Sequence, residues 1–494
     1  MESWPNKPSL SRMGLTTQPI WEERLVASAR PLKRLRPVAR ALRNSLRHFL
    51  APTVFRQAHR ALPIPAPKPM PPAARPRPTT PPRPRRAPRW DPQALILVLL
   101  ALTWACGDSL PERFETARAF VAVARPKRRR PGRTPQGFQM ARSRLPMSVL
   151  RAVAAGVRRC LPTTLAPGWL VEGFVPMGCD GTRLECPRTA ELERRLGQAG
   201  KPGSAPTIWL TALVHLRLGV PWAWRWGKGT ASERGHLRLL APLLPAAALL
   251  VADAGFVGHD LIQALLAQRV HFLIRMSCQA RFYRKGKGEP RHFHQGQVYY
   301  WPPEKGSSRQ APLPLRLIRV RGRRQRHDVW LATDVSDRKR LSRSQAGRFY
   351  RWRWENEGFF RTYKRTLKKV KLVSRTLRLV HREAEGSLLA TQLLLAQGAR
   401  ALCRGGRSEV AACSPRQVLL AIRAELQQAA AQGRRPDFER RLAGAVREQR
   451  VRVSAKQKRV WPQRTPHKPP KPPHLLTLTA AEKARISRPL TAGA

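Results

Sequence analysis

The chain has 494 residues, room for two to four domains, and carries 94 Lys and Arg against 30 Asp and Glu, a formal net charge of +64. Charge of that size sets aside an ordinary metabolic enzyme and points to a polyanionic partner, nucleic acid first. A hydrophobic content of 42% sets aside a wholly disordered basic protein. Seven cysteines, Cys106, Cys160, Cys179, Cys186, Cys278, Cys403 and Cys413, are scattered without any Cys-x-x-Cys pair. That pattern supports neither a disulfide framework nor a zinc finger and fits a reducing cytoplasm. The apolar runs 94–106 and 239–252 are too short to span a bilayer. The polar start of the chain has no apolar signal core, so no membrane association is expected.

Residues 1–90 form a basic extension, with a helical pattern from Trp21 to about Leu62 and a Pro- and Arg-rich stretch over 61–90 that suits an extended linker or a non-specific DNA-binding arm. Residues 91–165 read as helical, with the basic run RPKRRRPGRT over 125–134, and make a plausible DNA-binding region. From about Trp169 strands and helices alternate. Strands are expected at 169–179, ending at Asp180, then at 208–216 and 220–226. A helix at 233–244, a buried strand at 246–252 ending at Asp253, a helix at 260–268 and a strand at 270–276 follow. This order suggests a mixed α/β sheet with helices on its faces.

Residues 278–328 break the rhythm and read as a β-rich insertion, with a strand at 329–333 after it. A long helix starts near Leu341, and further helices are expected at 384–403 and 414–447. The domain boundaries are therefore 1–90, 91–165, 166–405, 406–450 and a basic, Pro-rich tail over 451–494.

The helix beyond Leu341 carries an unusual face. Tyr350, Arg353, Glu357 and Lys364 stand at offsets of 0, 3, 7 and 14 residues, which at about 100° per residue places them within an arc of roughly 60°. A hydroxyl, a guanidinium, a carboxylate and an ammonium are thus presented together, while Phe349, Phe359, Phe360 and Tyr363 form a separate stripe suited to packing. Asp180 in CDGTRLECP and Asp253 in LLVADAGFVGHD end expected core strands. Either aspartate alone is ordinary turn chemistry. With Glu357 they make three acids at the ends of core elements of a strongly basic chain, a donor set able to hold two Mg²⁺ ions and to cleave phosphodiesters with them.

These residues carry a resemblance. The chain resembles the DDE transposases of bacterial insertion sequences, in the insertion-sequence-four group. That group's Y-(2)-R-(3)-E-(6)-K signature is complete in YRWRWENEGFFRTYK, as Tyr350, Arg353, Glu357 and Lys364. Asp180 stands in the group's D-G-T motif and Asp253 in its D-x-G-[FY] motif, with 73 residues from the first acid to the second and 104 from the second to the third. The resemblance covers about 170–405.

It implies a ribonuclease H-like mixed sheet with the β-rich insertion ahead of the catalytic Glu helix, a helical N-terminal DNA-binding region and a helical C-terminal region. It implies catalysis by Asp180, Asp253 and Glu357 on two divalent metal ions, Mg²⁺ or in its place Mn²⁺. It gives Tyr350, Arg353 and Lys364 contacts with DNA phosphates. Trp330, just before the catalytic helix, would stack on a base flipped out during hairpin formation. The activity implied is cut-and-paste transposition on double-stranded DNA, both inverted-repeat ends and target, by a homodimer in a synaptic complex within the bacterial nucleoid.

Two decoys fail. Gly107-Asp108-Ser109-Leu110 looks like an esterase motif, but the chain has no Asp-x-x-His, and Ser109 with Glu112 reads as a helix start. Gly227-Lys228-Gly229-Thr230 lacks the P-loop spacing. The rival that keeps the fold is a decayed or repurposed transposase that binds DNA as a regulator without cutting it.

Overall fold

The computed structural model describes residues 40–60, 90–126, 128, 130–197, 203–286, 293–301, 312–322, 327–405, 411–427, 437–447 and 471–487. The expected helical pattern before residue 40, the linker at 61–89 and most of the basic tail lie outside these residues.

Among the described residues the sheet is preceded by helices α1 (Arg40–Arg47), α2 (Pro52–Arg60), α3 (Pro92–Trp104), α4 (Leu110–Ala124), α5 (Pro135–Arg144) and α6 (Met147–Thr164). Their starts are written in local chemistry. Asp91, Ser109 and Thr134 each cap a helix by accepting from a backbone N–H of the first turn. Ser109 therefore serves as the helix start that its spacing to Glu112 predicts. A short turn of helix, α7 (Ala166–Trp169), leads into the sheet.

Among the described residues the sheet has ten strands. They are β1 (Val175–Glu185), β2 (Thr207–His215), β3 (Val220–Lys228), β4 (Ala248–Ala252), β5 (His271–Arg275), β6 (Arg281–Arg284), β7 (Gln295–Tyr300), β8 (Leu313–Val320), β9 (Val329–Thr333) and β10 (His474–Thr477), in the order β10-β6-β7-β8-β9-β5-β4-β1-β2-β3. The first three run as an antiparallel meander, β4 lies parallel to β1, and β5 lies parallel to β4. This order and polarity is the ribonuclease H-like arrangement. Helices α8 (Ala190–Leu196), α9 (Glu233–Leu240) and α10 (His259–Ala267) connect these strands.

The 278–328 segment is β-rich as expected, but it extends the central sheet rather than forming a separate unit. β9 pairs antiparallel with β5, and β8, β7 and β6 continue outward. The tail contributes β10, paired parallel with β6, and a helix, α16 (Ala480–Ser487). Leu478 and Ile486 of this tail pack with Tyr283, Tyr299 and Trp301 in a small apolar cluster. The strand covers the β6 edge, which would otherwise leave unpaired backbone groups.

Three helical segments replace the single long helix expected from Leu341. α11 (Arg343–Trp352) opens with a capping box between Ser342 and Gln345. The chain tightens at Arg353, where its N–H donates to Tyr350 and its carbonyl accepts from Asn356. α12 (Trp354–Arg361) follows, and residues Thr362–Thr366 widen into a π-turn closed by Leu367 N–H on the Thr362 carbonyl.

The 28-residue α13 (Leu377–Arg404) is buried on nearly every side, as expected of a helix that runs through a core. Trp104 of α3 is fully buried and its indole donates to the Ala390 carbonyl of α13 at 3.1 Å. The N-terminal helices are thereby joined to α13. α14 (Pro415–Gln427) and α15 (Phe438–Ala443) pack on α13, and α14 also touches α3 and α4. All seven cysteines are free thiols. Among the described residues, no helix is long and apolar enough to cross a membrane.

One buried histidine gives the fold a pH dependence. His215 ends β2 and is 1% exposed. Its Nδ1 accepts from Leu218 N–H at 3.2 Å, which leaves Nε2–H to donate to the Trp169 carbonyl at 2.9 Å, a neutral tautomer. Burial pushes its pKa down to about 4 from 6.5. The unfolded chain therefore takes up this proton first, so stability is full above about pH 6.5 and falls by roughly 3 kcal/mol as pH drops to about 4. Thermal midpoints of wild type and His215→Gln should converge across that window; a gap independent of pH would contradict a neutral, buried His215.

Candidate active site

Two neighbouring strands, β1 and β4, place the first two acids. The pairing of β4 with β1 stops at Gly178 opposite Val251, while β2 stays paired with β1 up to Glu185. Asp180 therefore lies in the middle of β1 and not at its end, as its sequence had suggested. Residues 170–174 are spent on a tight turn, with Glu172 and Gly173 both at positive φ, so the strand begins later and runs further. Asp253 follows the last residue of β4. Continuing the β1–β4 register by two residues sets Asp180 opposite Asp253 across the notch where β4 ends. Each aspartate accepts a hydrogen bond from the N–H of the next residue, Gly181 at 2.9 Å and Ala254 at 2.8 Å.

Glu357 comes from α12, which packs on β1 and β2. Its neighbour Asn356 is fully buried against Gly178, and neither amide atom has a hydrogen-bond partner. Gly178 makes this approach possible, because a Cβ there would sit 2.6 Å from the Asn356 amide. The charges of Asp180 and Glu357 reach each other. The Asp180 carboxyl is raised above its ordinary pKa by burial first, and also by the negative charges of Asp253 and Glu357; Arg353 and the Gly181 N–H oppose the rise.

The signature residues converge on the same place. Tyr350 Oη donates to Asp253 Oδ1 at 3.2 Å. Burial, then the Asp253 charge, raises its pKa, so the hydroxyl keeps its proton and stays a donor. Arg353 Nη2 stands 3.8 Å from Asp253 Oδ2, and Arg275 of β5 stands 3.5 Å from Oδ1. The Arg353 guanidinium also lies over the rings of Tyr350 and Trp354. Lys364, in the π-turn, donates to Thr182 Oγ1 at 2.6 Å. Burial lowers its pKa, with Glu185 acting against the shift. The threonine of the D-G-T motif thus anchors the last residue of the signature.

Trp330 lies on β9, two strands from β4, and its carbonyl accepts from the N–H of Met276, the residue after Arg275. It is 7% exposed, stacks on Phe293 at 6.0 Å and has the Arg319 guanidinium over its ring. Sequence reasoning missed several neighbours of the site. Arg275 and Thr182 had no distinguishing pattern, although Thr182 belongs to D-G-T. Trp354 is 61% exposed, one helical turn before Glu357; its position inside the signature could have singled it out. Glu233, at the start of α9, was overlooked because it follows no motif. Its carboxyl is raised by burial, then by Asp180, with Asp253 adding to the shift and Arg183 opposing it.

Residues 179–393 match the family model described as a transposase DDE domain. That span starts one residue before Asp180, ends within α13, and encloses all three acids together with Tyr350, Arg353 and Lys364. Curated proteins give no match. Among solved structures, the chain is similar to one described as the cryo-EM structure of the piggyBac transposase synaptic complex with hairpin DNA, at 11% identity over 86% of this chain and 89% of that one, with a TM-score of 0.39.

Proposed function

We propose that the protein is a cut-and-paste transposase of the insertion-sequence-four kind, which cleaves DNA at the ends of its element through a hairpin and joins the freed ends to target DNA. The observation that supports this most is convergence. Asp180, Asp253 and the Tyr350–Lys364 segment come from separate parts of the chain, and Tyr350, Arg353 and Lys364 all contact Asp253 or the D-G-T strand.

The donor set fits a pair of hard divalent cations. Asp180, Asp253 and Glu357 offer only oxygen, and like-charge repulsion at Asp180 is what a cation would relieve. Among the described residues no group of three such side chains is already gathered into a ready-made metal site, and Asp253 is held by Tyr350, Arg275 and Arg353. These acids would hold Mg²⁺, with Mn²⁺ able to substitute, and bound ions would supply water activation and stabilisation of the leaving oxygen. The chain's own residues do the positioning. Arg353 and Tyr350 orient Asp253 and lie where scissile phosphate oxygens would accept from them. Lys364 reaches the β1 side of the same groove. The working unit would be a homodimer holding two ends.

Lys364→Ala is expected to weaken binding to the element end by about 1–2 kcal/mol and to lower the salt dependence by about one phosphate contact. An end affinity and a salt slope both equal to wild type would remove Lys364 from the phosphate track. For base stacking, Trp330 would have to give up its contacts with Phe293 and Arg319, whereas Trp354 is already open. Trp354→Ala should lower hairpin yield by about tenfold or more with nicking retained, since base–aromatic stacking contributes about 1–3 kcal/mol. Hairpin loss in Trp330→Ala with normal yield in Trp354→Ala would return the role to Trp330.

A further inference from the structure

We propose that the cavity between α6 and β3 is a slot for an unpaired nucleotide, its base stacked on Trp224 and its phosphates held by Arg151 and Arg158. This goes beyond the proposed function, because it requires only that the chain meet a DNA strand with an unpaired base.

The cavity holds about 290 Å³ and lies at β3, the last strand of the sheet, at the end away from the β-rich segment. That volume is near the lower end for small-molecule sites and suits one planar base with its sugar. Trp222, Trp224 and Trp226, alternate residues of β3, wall one side of it. The two outer indoles are covered. Trp222 packs on Trp169 and has the Arg158 guanidinium over its ring, and Trp226 packs on His381 and has Arg151 over its ring. Among the described residues no ring or cation lies over Trp224.

The facing helix leaves the matching gap. Arg151, Ala154, Ala155 and Arg158 stand at offsets of 0, 3, 4 and 7 residues on α6 and line the cavity together, as one helical face does. With Arg151 over Trp226 and Arg158 over Trp222, the two alanines fall opposite the middle indole. Their methyl groups leave a slot with a guanidinium at each end. A flat π-system with negative charge beside it fits there, and a nucleotide has both, whatever its base. Leu239 and Leu243, 56% and 38% exposed, give the cavity an apolar rim on which a sugar can rest.

Glu385 of α13 positions the platform. It is 3% exposed and accepts from the Trp224 indole at 3.1 Å and from the Trp226 indole at 2.9 Å. The stacking ring is therefore fixed before a base arrives, which lowers the ordering cost of binding. Ala212 of β2 pairs with both Asp180 and Trp224, so Trp224 shares a sheet face with Asp180, two strands or roughly 10 Å away. The slot is separate from Trp330 on β9 and Trp354 on α12.

A single-stranded oligonucleotide carrying one 5-iodouracil, photocrosslinked to the full chain and mapped by mass spectrometry, tests the slot alongside affinities measured over a range of salt. The crosslink should fall on Trp224. Trp224→Leu should weaken single-strand binding by about tenfold with its salt slope kept, whereas Arg158→Ala should reduce the slope by about one phosphate contact. Trp224→Leu also removes a donor from Glu385, so Ala155→Leu is the second variant. It fills the slot, keeps every indole, and should weaken single-strand binding as much, with thermal midpoint and duplex affinity preserved. Wild-type single-strand affinity in Ala155→Leu, or crosslinks on Trp330 or Trp354 with none on Trp224, would overturn the proposal.

Discussion

Glu357→Gln and Asp253→Ala are each expected to reduce DNA strand cleavage by at least about 10³-fold while leaving DNA affinity within about twofold. The asymmetry follows from where charge sits. DNA affinity in a chain of net charge +64 is spread over many Lys and Arg side chains, so the loss of one carboxylate hardly moves it. Cleavage, under the proposed function, would depend on a few oxygens at one notch in the sheet. Asp253 is also the hub for Tyr350, Arg275 and Arg353, so its removal releases three positioning contacts as well as a ligand. Gel-shift affinity and plasmid nicking, measured on the same preparations, separate the two effects. Cleavage by either variant within tenfold of wild type would remove that acid from the chemistry.

The second large effect concerns the joint between the N-terminal helices and α13. Glu383 on α13 is 3% exposed. It accepts from Lys369 Nζ at 2.9 Å and from the N–H groups of Val373 and Ser374. Ser374 Oγ in turn accepts from Arg142 of α5. Burial alone would raise the pKa of Glu383, but Lys369, Ser374 and Arg142 outweigh it and hold the carboxyl below its ordinary value.

Glu383→Ala leaves Lys369 and two backbone donors without their acceptor and should cost about 3–5 kcal/mol. Because the folded pKa is depressed, the contribution is present above about pH 4.5 and fades as pH falls through the folded value. The destabilisation should therefore shrink in acid, and a loss of stability independent of pH would mean that packing, not charge, dominates at Glu383. The strap over residues 367–376 connects the π-turn bearing Lys364 to α13. A folded remnant of the variant should accordingly bind element ends less well than random DNA predicts.

The site was legible in the sequence where chemistry and spacing coincide. Tyr350, Arg353, Glu357 and Lys364 could be grouped by helical periodicity although the chain there is broken at Arg353 and widened at Thr362–Thr366. Across these breaks Tyr350 and Arg353 meet Asp253 while Lys364 meets Thr182. The meander, the parallel pair and the β-rich segment could be read from apolar runs and their lengths. Their union in one ten-stranded sheet could not, because edge pairing is set by partners distant in sequence. β10 is the clearest case, since His474–Thr477 is short and sits in a basic tail.

Asp180 was misplaced within its strand because a Trp-Leu-Val run beginning at Trp169 resembles a strand start, whereas positive φ at Glu172 and Gly173 breaks it. Glu233 was invisible for another reason: its position depends on two glycines 52 residues before it and 22 after it, a relation that only the folded sheet creates. Trp330 shows the opposite limit. Its place before the catalytic helix was readable, but its burial against Phe293 depends on strand pairing.

The most direct measurement is an excision assay on a plasmid carrying the gene with its own flanking DNA, in Mg²⁺, with wild type and Glu357→Gln in parallel. A linear fragment released by wild type alone, and lost on chelation of the metal, is the predicted result. Tight DNA binding with no cleavage by wild type, on flanks that contain both ends, would contradict the account and leave a DNA-binding protein that has kept the transposase fold without its reaction.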